Sequence, residues 1–160
     1  MPRLFAVLGV CLVSSPAFAD TSYEVTATSG ASDFDEAQCL YGNLEGTPDG
    51  VTPIDPADAL GDGELSLVEA ICLANHDLGP TVIDLAGLDI DLAGGMNSAF
   101  YGINMLPIIR STITVVGHGA TVRGAAAQAR YFFVAGAFHD LGAGDLTLSL
   151  IHISEPTRPY

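Results

Sequence analysis

Short runs of mostly apolar residues recur along most of the chain after residue 80. These runs contain β-branched and aromatic residues, are typical of β-strands, and cover 81–85, 88–92, 112–116, 121–123 and 131–134. Within 88–92 hydrophobic and polar residues alternate strictly, as in a strand with one buried face. Glycine-rich segments such as Gly94-Gly95 and Gly117-His118-Gly119 separate the runs and predict turns. Residues 23–28 alternate in the same way and predict a first strand.

A long loop and one short helix precede the strands. Residues 29–61 are rich in Gly, Asp, Pro and Asn and follow neither the helical nor the strand period. Ser66 and Glu69 have the spacing of a capping box, in which each side chain accepts a bond from the other residue's amide. The apolar residues that follow lie on one helical face, and Asn75 and Gly79-Pro80 end the helix. Because so short a helix is unstable alone, we expect its apolar face to pack on the strands.

The first 19 residues have the parts of a secretory signal peptide. Arg3 supplies the positive start, residues 4–13 are apolar, and Ala17-Phe18-Ala19 is an A-x-A cleavage site. We expect cleavage after Ala19 and a mature chain that starts at Asp20. The apolar run is too short for an anchor, and no later run reaches the roughly 18 to 20 apolar residues of a transmembrane helix. The sequence predicts a protein that is secreted, extracellular or on the cell surface.

Two cysteines, Cys39 and Cys72, remain after that cleavage. An exported chain enters a compartment that permits disulfides, so we predict one bridge between them. Two unpaired, partly buried thiols are the alternative.

The chain is strongly acidic, with 19 aspartates and glutamates against five basic residues and a formal net charge of −14. An acidic surface repels nucleic acids and anionic lipids, which excludes both as expected partners. No spacing of glycines or histidines indicates a cofactor, so none is predicted.

Asp58, Asp62 and Glu69 raise the possibility of calcium, since they fall at positions 1, 5 and 12 of an EF-hand loop. Leu60, however, occupies position 3 and offers no side-chain oxygen. A turn at Asp62-Gly63 followed by the capping box explains the same residues, and we favour that interpretation. The prediction is therefore that the chain has no metal site.

Asp89 and Asp91 are the most plausible pair of catalytic carboxylates, because alternation puts them on one face of a strand. Paired carboxylates serve as acid and base in glycoside cleavage. Solvated aspartates are much commoner on strand faces, and the sequence places no lysine or arginine near these two. We therefore predict no catalytic residue in this chain.

Residues 62–75, DGELSLVEAICLAN, resemble the signature of CSLREA-domain proteins, in which an Asp-Gly pair leads into CSLREAI and then an asparagine. Leu65 replaces the signature cysteine and Val68 replaces the arginine. The resemblance resumes further along the chain, at 106–109, 113–123 and 130–134. It implies the N-terminal segment of an exported right-handed parallel β-helix, in adhesin-like, outer-membrane-associated proteins whose motif is structural and not catalytic.

The expected fold is therefore all-β, a right-handed parallel β-helix (solenoid) with a short N-terminal capping α-helix. Without the resemblance a β-sandwich stays open, because no repeat is visible at a fixed period. The expected divisions are a signal peptide at 1–19, a strand, loop and capping helix at 20–80, and the first β-helix coils at 81–147.

Residues 148–160 look like the read-through translation of a transposase sequencing adapter. We expect these residues, the tail, to be non-native and the natural protein to continue beyond residue 147, so that the chain is truncated. We also expect that the tail supplies no matched coil and that residues 20–160 are marginally stable on their own.

Together these features predict an exported structural or adhesive surface module with no catalytic site, whose partner is a surface carbohydrate or a protein. The alternative is the N-terminal part of a carbohydrate-active β-helix enzyme, a polysaccharide lyase or hydrolase, with its active site further along the natural chain.

Overall fold

The computed structural model describes residues 21–32, 58–77, 79–93, 96–98, 102–125, 129–136 and 143–154. They contain a single 3-10 turn at Asp58–Leu60, helix α1 at Leu67–His76 and nine strands. The strands are β1 (Thr21–Glu24), β2 (Thr81–Asp84), β3 (Asp89–Leu92), β4 (Met96–Ser98), β5 (Gly102–Asn104), β6 (Thr112–Val116), β7 (Thr121–Gly124), β8 (Asp145–Ser149) and β9 (His152–Ser154). The expected signal peptide and Cys39 lie outside the described residues.

Seven of these strands form two parallel sheets. Sheet 1 has the order β1-β2-β6-β8, and sheet 2 has the order β3-β7-β9. From β2 onward the chain crosses from sheet 1 to sheet 2 in short turns and then returns, so each of these passages adds one strand to each sheet. In sheet 1, Thr81 pairs with Ile113, 32 residues further along the chain. In sheet 2, Asp89 pairs with Thr121, also 32 residues further along.

The expectation of an all-β right-handed β-helix is wrong. The described residues combine two parallel sheets with an α-helix and an antiparallel pair, β4 with β5, so their architecture is mixed α/β. A closed solenoid would also need strand pairing between the segments around residues 104–109 and 130–134. Only isolated bridges join them, Asn104 with Arg130 and Ile109 with Val134. Pro107 lies between these bridges and has no amide hydrogen to donate, which interrupts a continuous ladder there.

The core fills the space between the two sheets and α1. Alternate residues of β2, β3, β6 and β7 point inward and are buried, as the β-strand period requires. Ile83 is opposite Val115 in sheet 1, and Ile90 is opposite Val122 in sheet 2, and all four side chains are fully buried. Strand pairing thus stacks the same apolar positions into continuous rows, which orient the polar positions of the same strands outward.

Helix α1 is buried on every side from Leu67 to Ala74, so it belongs to the core and is not an amphipathic cover with a solvent face. Its start has the reciprocal bonds of a capping box. The Ser66 Oγ accepts from the Glu69 amide at 3.2 Å, and Glu69 Oε2 accepts from the Ser66 amide at 2.8 Å. Both side chains are only 2 % exposed, so these bonds satisfy amides that water cannot reach.

The tail continues both sheets, and the expectation that it supplies no matched layer is wrong. Strand β8 pairs with β6 in parallel register as far as Ser149, and β9 pairs with β7. The Tyr131 hydroxyl links these layers, because it accepts from the Gly124 amide at 2.8 Å and donates to the Ser154 carbonyl at 2.5 Å. This outer layer nevertheless leaves Leu148 and Leu150 exposed.

Candidate functional site

Asp89 and Asp91 lie on the outward face of sheet 2. They alternate along β3 with Ile90 and Leu92, which are buried in the core, so both carboxylates are exposed to solvent. Asp89 and Asp91 therefore share one face of the strand, as the sequence predicts. The two aspartates project from this face two residues apart along the strand.

Arg123 joins the two carboxylates. The parallel register of β3 and β7 sets Arg123 opposite Asp91. Arg123 Nη2 lies 3.2 Å from Asp89 Oδ2, and Nη1 lies 3.7 Å from Asp91 Oδ1. The expectation that no arginine lies near the pair is wrong, because strand pairing brings together residues that are 32 positions apart in the chain. We call Asp89, Asp91, Thr121 and Arg123 the sheet 2 polar cluster.

The cluster holds Asp89 in its ionised form. A hydrogen bond from Thr121 is the largest cause, and the hydrogen bond and positive charge of Arg123 add to it, so the pKa of Asp89 is lowered from its ordinary value. A general acid needs a pKa close to the pH at which it works. Asp89 thus carries no proton to donate at neutral pH. The cluster offers fixed hydrogen-bond acceptors and a guanidinium donor to a ligand.

Two of the three acidic residues considered for calcium, Asp62 and Glu69, have other partners. Asp62 Oδ1 accepts from the Glu64 amide at 2.9 Å in a turn around Gly63, whose φ is 86°. Glu69 is buried and its carboxylate closes the capping box. Asp58 begins the 3-10 turn. Across the described ranges, no three or more His, Cys, Asp or Glu side chains are grouped so that they could hold a metal ion.

A second polar cluster, which sequence reasoning missed, lies at the C-terminal end of α1. Asn75 Nδ2 donates to the Ile108 carbonyl at 2.7 Å, and Asn75 Oδ1 accepts from the Arg110 amide at 2.8 Å. Ser111 Oγ donates to the Ala74 carbonyl at 2.8 Å. The amide of Asn75 thus bonds to a neighbouring segment as another backbone strand would, and it fixes the helix end to the segment that leads into β6.

Asp77 fixes the same helix end to sheet 1. Its Oδ1 accepts from the Tyr23 hydroxyl at 3.4 Å, and its Oδ2 accepts from Thr81 Oγ1 at 3.0 Å. Desolvation, together with the charge and hydrogen bond of Asp77, raises the pKa of Tyr23 to about 12. Tyr23 therefore stays protonated at physiological pH and remains a hydrogen-bond donor.

His76 lies between these two sets of bonds. Its Nε2 is buried and has no hydrogen-bond partner among the described residues. Burial lowers the pKa of His76, the positive charge of Arg110 lowers it further, and the negative charge of Asp77 opposes both. The sequence does contain a signal for this cluster. It is the polar run Asn75-His76-Asp77 at the C-terminal end of an otherwise apolar helix.

Cys72 is fully buried within α1. Because Cys39 lies outside the described residues, the disulfide between the two stays a prediction.

Within the described part of the chain, no helix combines the length and the apolar character needed to cross a membrane. No family model matches the sequence, and neither the curated proteins nor the solved structures contain a significant match. The resemblance to CSLREA-domain proteins accordingly stays a prediction based on residues 62–75 and the later segments.

Proposed function

We propose that this chain is an exported structural or adhesive surface module that holds a partner on the outer face of sheet 2 without chemical conversion. The observation that carries the proposal is the sheet 2 polar cluster. It presents two exposed carboxylates held by Arg123 on a rigid, hydrogen-bonded sheet. A rigid array of this kind binds without loss of side-chain freedom, since its side chains are already held in place.

The chemistry of the cluster favours a surface carbohydrate as the partner. Carboxylates accept hydrogen bonds from sugar hydroxyls, and a guanidinium donates to hydroxyl and ring oxygens. The net charge of −14 disfavours acidic polysaccharides by repulsion, so a neutral glycan fits the surface better. The lowered pKa of Asp89 supports binding over the alternative of glycoside cleavage, which needs a protonated carboxyl.

The test is retention of the purified full chain on immobilised neutral polysaccharides, with the soluble products analysed for new sugar ends. Asp89→Asn combined with Arg123→Gln should weaken retention at least about tenfold, the effect of losing roughly 1.4 kcal/mol of binding. Glu24→Gln is the matched control, because Glu24 is an exposed carboxylate on β1 in sheet 1. Release of new sugar ends, or equal retention of the double variant and the parent chain, would refute the proposal.

A further inference from the structure

The C-terminal end of α1 is held by hydrogen bonds to three other elements, and we call residues 74–77 the α1 latch. Tyr23 of β1 and Thr81 of β2 bond to Asp77. The segment before β6 bonds to Ala74 and Asn75 through Ile108, Arg110 and Ser111. The α1 latch is therefore the point at which the buried helix is joined to both neighbours in sheet 1 and to the segment between β5 and β6.

One side chain of the α1 latch has a ring nitrogen without a partner in this network. His76 Nε2 is enclosed and has no hydrogen-bond partner among the described residues. The ionisable groups that face His76 are Arg110 from the segment before β6, Asp77 from the helix end and, through Asp77, Tyr23 from β1. Neutral imidazole tolerates this position, because it carries no charge to be solvated.

We propose that protonation of His76 opens the α1 latch, which makes this end of the helix an acid-sensitive element of the protein. A proton on Nε2 would place a donor and a positive charge on a buried atom that meets no acceptor among the described residues. The Arg110 guanidinium is also partly desolvated, so the two cations would repel each other in a region of weak screening. Opening the α1 latch gives both groups access to water.

Asp77 is the group that could cancel this effect, because it would attract a protonated His76. Its two carboxylate oxygens, however, already accept from Tyr23 and Thr81. Turning the carboxylate towards His76 would leave those hydroxyls without their acceptor. The desolvation of His76 is accordingly the larger influence, and it keeps the pKa of His76 below its value in an open chain.

The direction of the pH dependence follows from linkage. The opened state binds a proton at about pH 6.5, the ordinary value for histidine, whereas the closed state binds it only at lower pH. The α1 latch is thus fully closed above pH 6.5, and closure weakens as the pH falls towards the pKa of His76 in the folded protein. Each unit of pKa lowering corresponds to a tenfold loss of closure.

The proposal is tested first on the unsubstituted full chain by NMR. Titration of the imidazole resonances should give a midpoint for His76 below about 6.5, the ordinary histidine value. Protection of the Arg110 amide from hydrogen exchange should fall between pH 7 and pH 5 after correction for intrinsic exchange, because this amide is bonded to Asn75. After the same correction, protection of the Val115 amide from hydrogen exchange should be equal at pH 7 and pH 5, because Val115 lies in the core of sheet 1. A His76 midpoint at or above about 6.5, or equal loss of protection at both amides, would overturn the proposal.

A pair of variants separates His76 from the other ionisable groups. His76→Gln keeps a polar side chain without a titration near pH 6, so the pH dependence of Arg110 protection should disappear. His118→Gln removes a histidine that interacts with Asp84 and does not touch the α1 latch, and it should keep the dependence. Persistence of the dependence in His76→Gln, or its loss in His118→Gln, would contradict the assignment.

Discussion

Among the described residues, three other than glycine adopt a left-handed backbone, and each lies in a turn that crosses from sheet 1 to sheet 2. Ala86, His118 and Leu150 have φ values of 50°, 51° and 54°. The side chain of an L-residue crowds the following carbonyl in this conformation, at a cost of roughly 1–2 kcal/mol. The two sheets therefore impose the backbone conformation of these turns, although the residues there do not favour it.

Relief of this strain is testable at Ala86, which is exposed. Ala86→Gly should raise the free energy of unfolding by about 0.5 to 1 kcal/mol, since the gain at positive φ exceeds the added entropy of the unfolded chain. Ala125 is an exposed alanine without a positive φ, so Ala125→Gly should lower stability by about 0.5 to 1 kcal/mol. Urea denaturation measures both, and a shift of the two variants in the same direction would contradict the explanation.

Asn75 should contribute more to the stability of the fold than Ser111, although both bond at the same helix end. Asn75→Ala removes two hydrogen bonds and leaves the Ile108 carbonyl and the Arg110 amide without partners, so it should destabilise the fold by about 2–3 kcal/mol. Ser111→Ala removes a single strong bond, to the Ala74 carbonyl, and should cost about 1 kcal/mol. Denaturation midpoints in the reverse order would show that the Asn75 bonds do not hold the helix end.

The capping box and the Asn75 bonds differ in how far the sequence predicts them. Ser66 and Glu69 are three residues apart, so their reciprocal bonds follow from helix geometry alone. The partners of Asn75 lie 33 and 35 residues away. No local rule indicates which distant backbone groups an amide side chain will meet.

Among the elements, the strands of the repeated layers are well predicted, because alternation is a local property. The runs at 81–85 and 88–92 contain β2 and β3, and the run at 112–116 is β6. The run at 131–134 forms no regular strand and has only an isolated bridge at Val134. The spacing of 32 residues between layers escaped detection, since successive layers share apolar positions but not residue types.

Stacking of these layers predicts a difference between the two faces of one strand. Ile83 is fully buried between α1 and the sheets, so Ile83→Ala should lower the free energy of unfolding by about 2–5 kcal/mol. Its neighbour Val82 faces outward and is only half-buried. Val82→Ala should therefore cost clearly less, about 1 kcal/mol. Equal losses in urea denaturation would mean that β2 does not have the inward and outward faces described.

At the scale of the whole molecule, the expected all-β class was wrong for a physical reason. The sequence shows α1 as a short helix with one apolar face, but the fold buries all of its sides from Leu67 to Ala74. Burial of the remaining sides depends on chain segments that are distant in sequence. The pairing of the segments around Pro107 likewise depends on long-range register, which alternation does not encode.

Two whole-chain predictions concern export. The exported protein should begin at Asp20, because the Ala17-Phe18-Ala19 site precedes it. N-terminal sequencing of material recovered outside the cytoplasm measures this directly. A product that retains Met1 would rule out cleavage by a signal peptidase.

The second is the disulfide between Cys39 and Cys72. Loop closure of that length should contribute about 3 to 4 kcal/mol to stability in the chain-entropy model. Thiol titration of the denatured, non-reduced, exported protein should find no free thiol, and reduction should lower the unfolding midpoint. Detection of two thiols before reduction would favour the unpaired alternative.

The order of strands in the two sheets has a mechanical consequence. Each strand of sheet 1 pairs only with the strand before and the strand after it in the stack. A force along the stack therefore loads the hydrogen bonds of one layer at a time, and a force along the strands loads all bonds of a layer together. Stretching of the tethered chain along the stack should release one layer per event. A layer of 32 residues extends by about 110 Å at roughly 3.4 Å per residue, so the tethered protein should lengthen in steps of about that size.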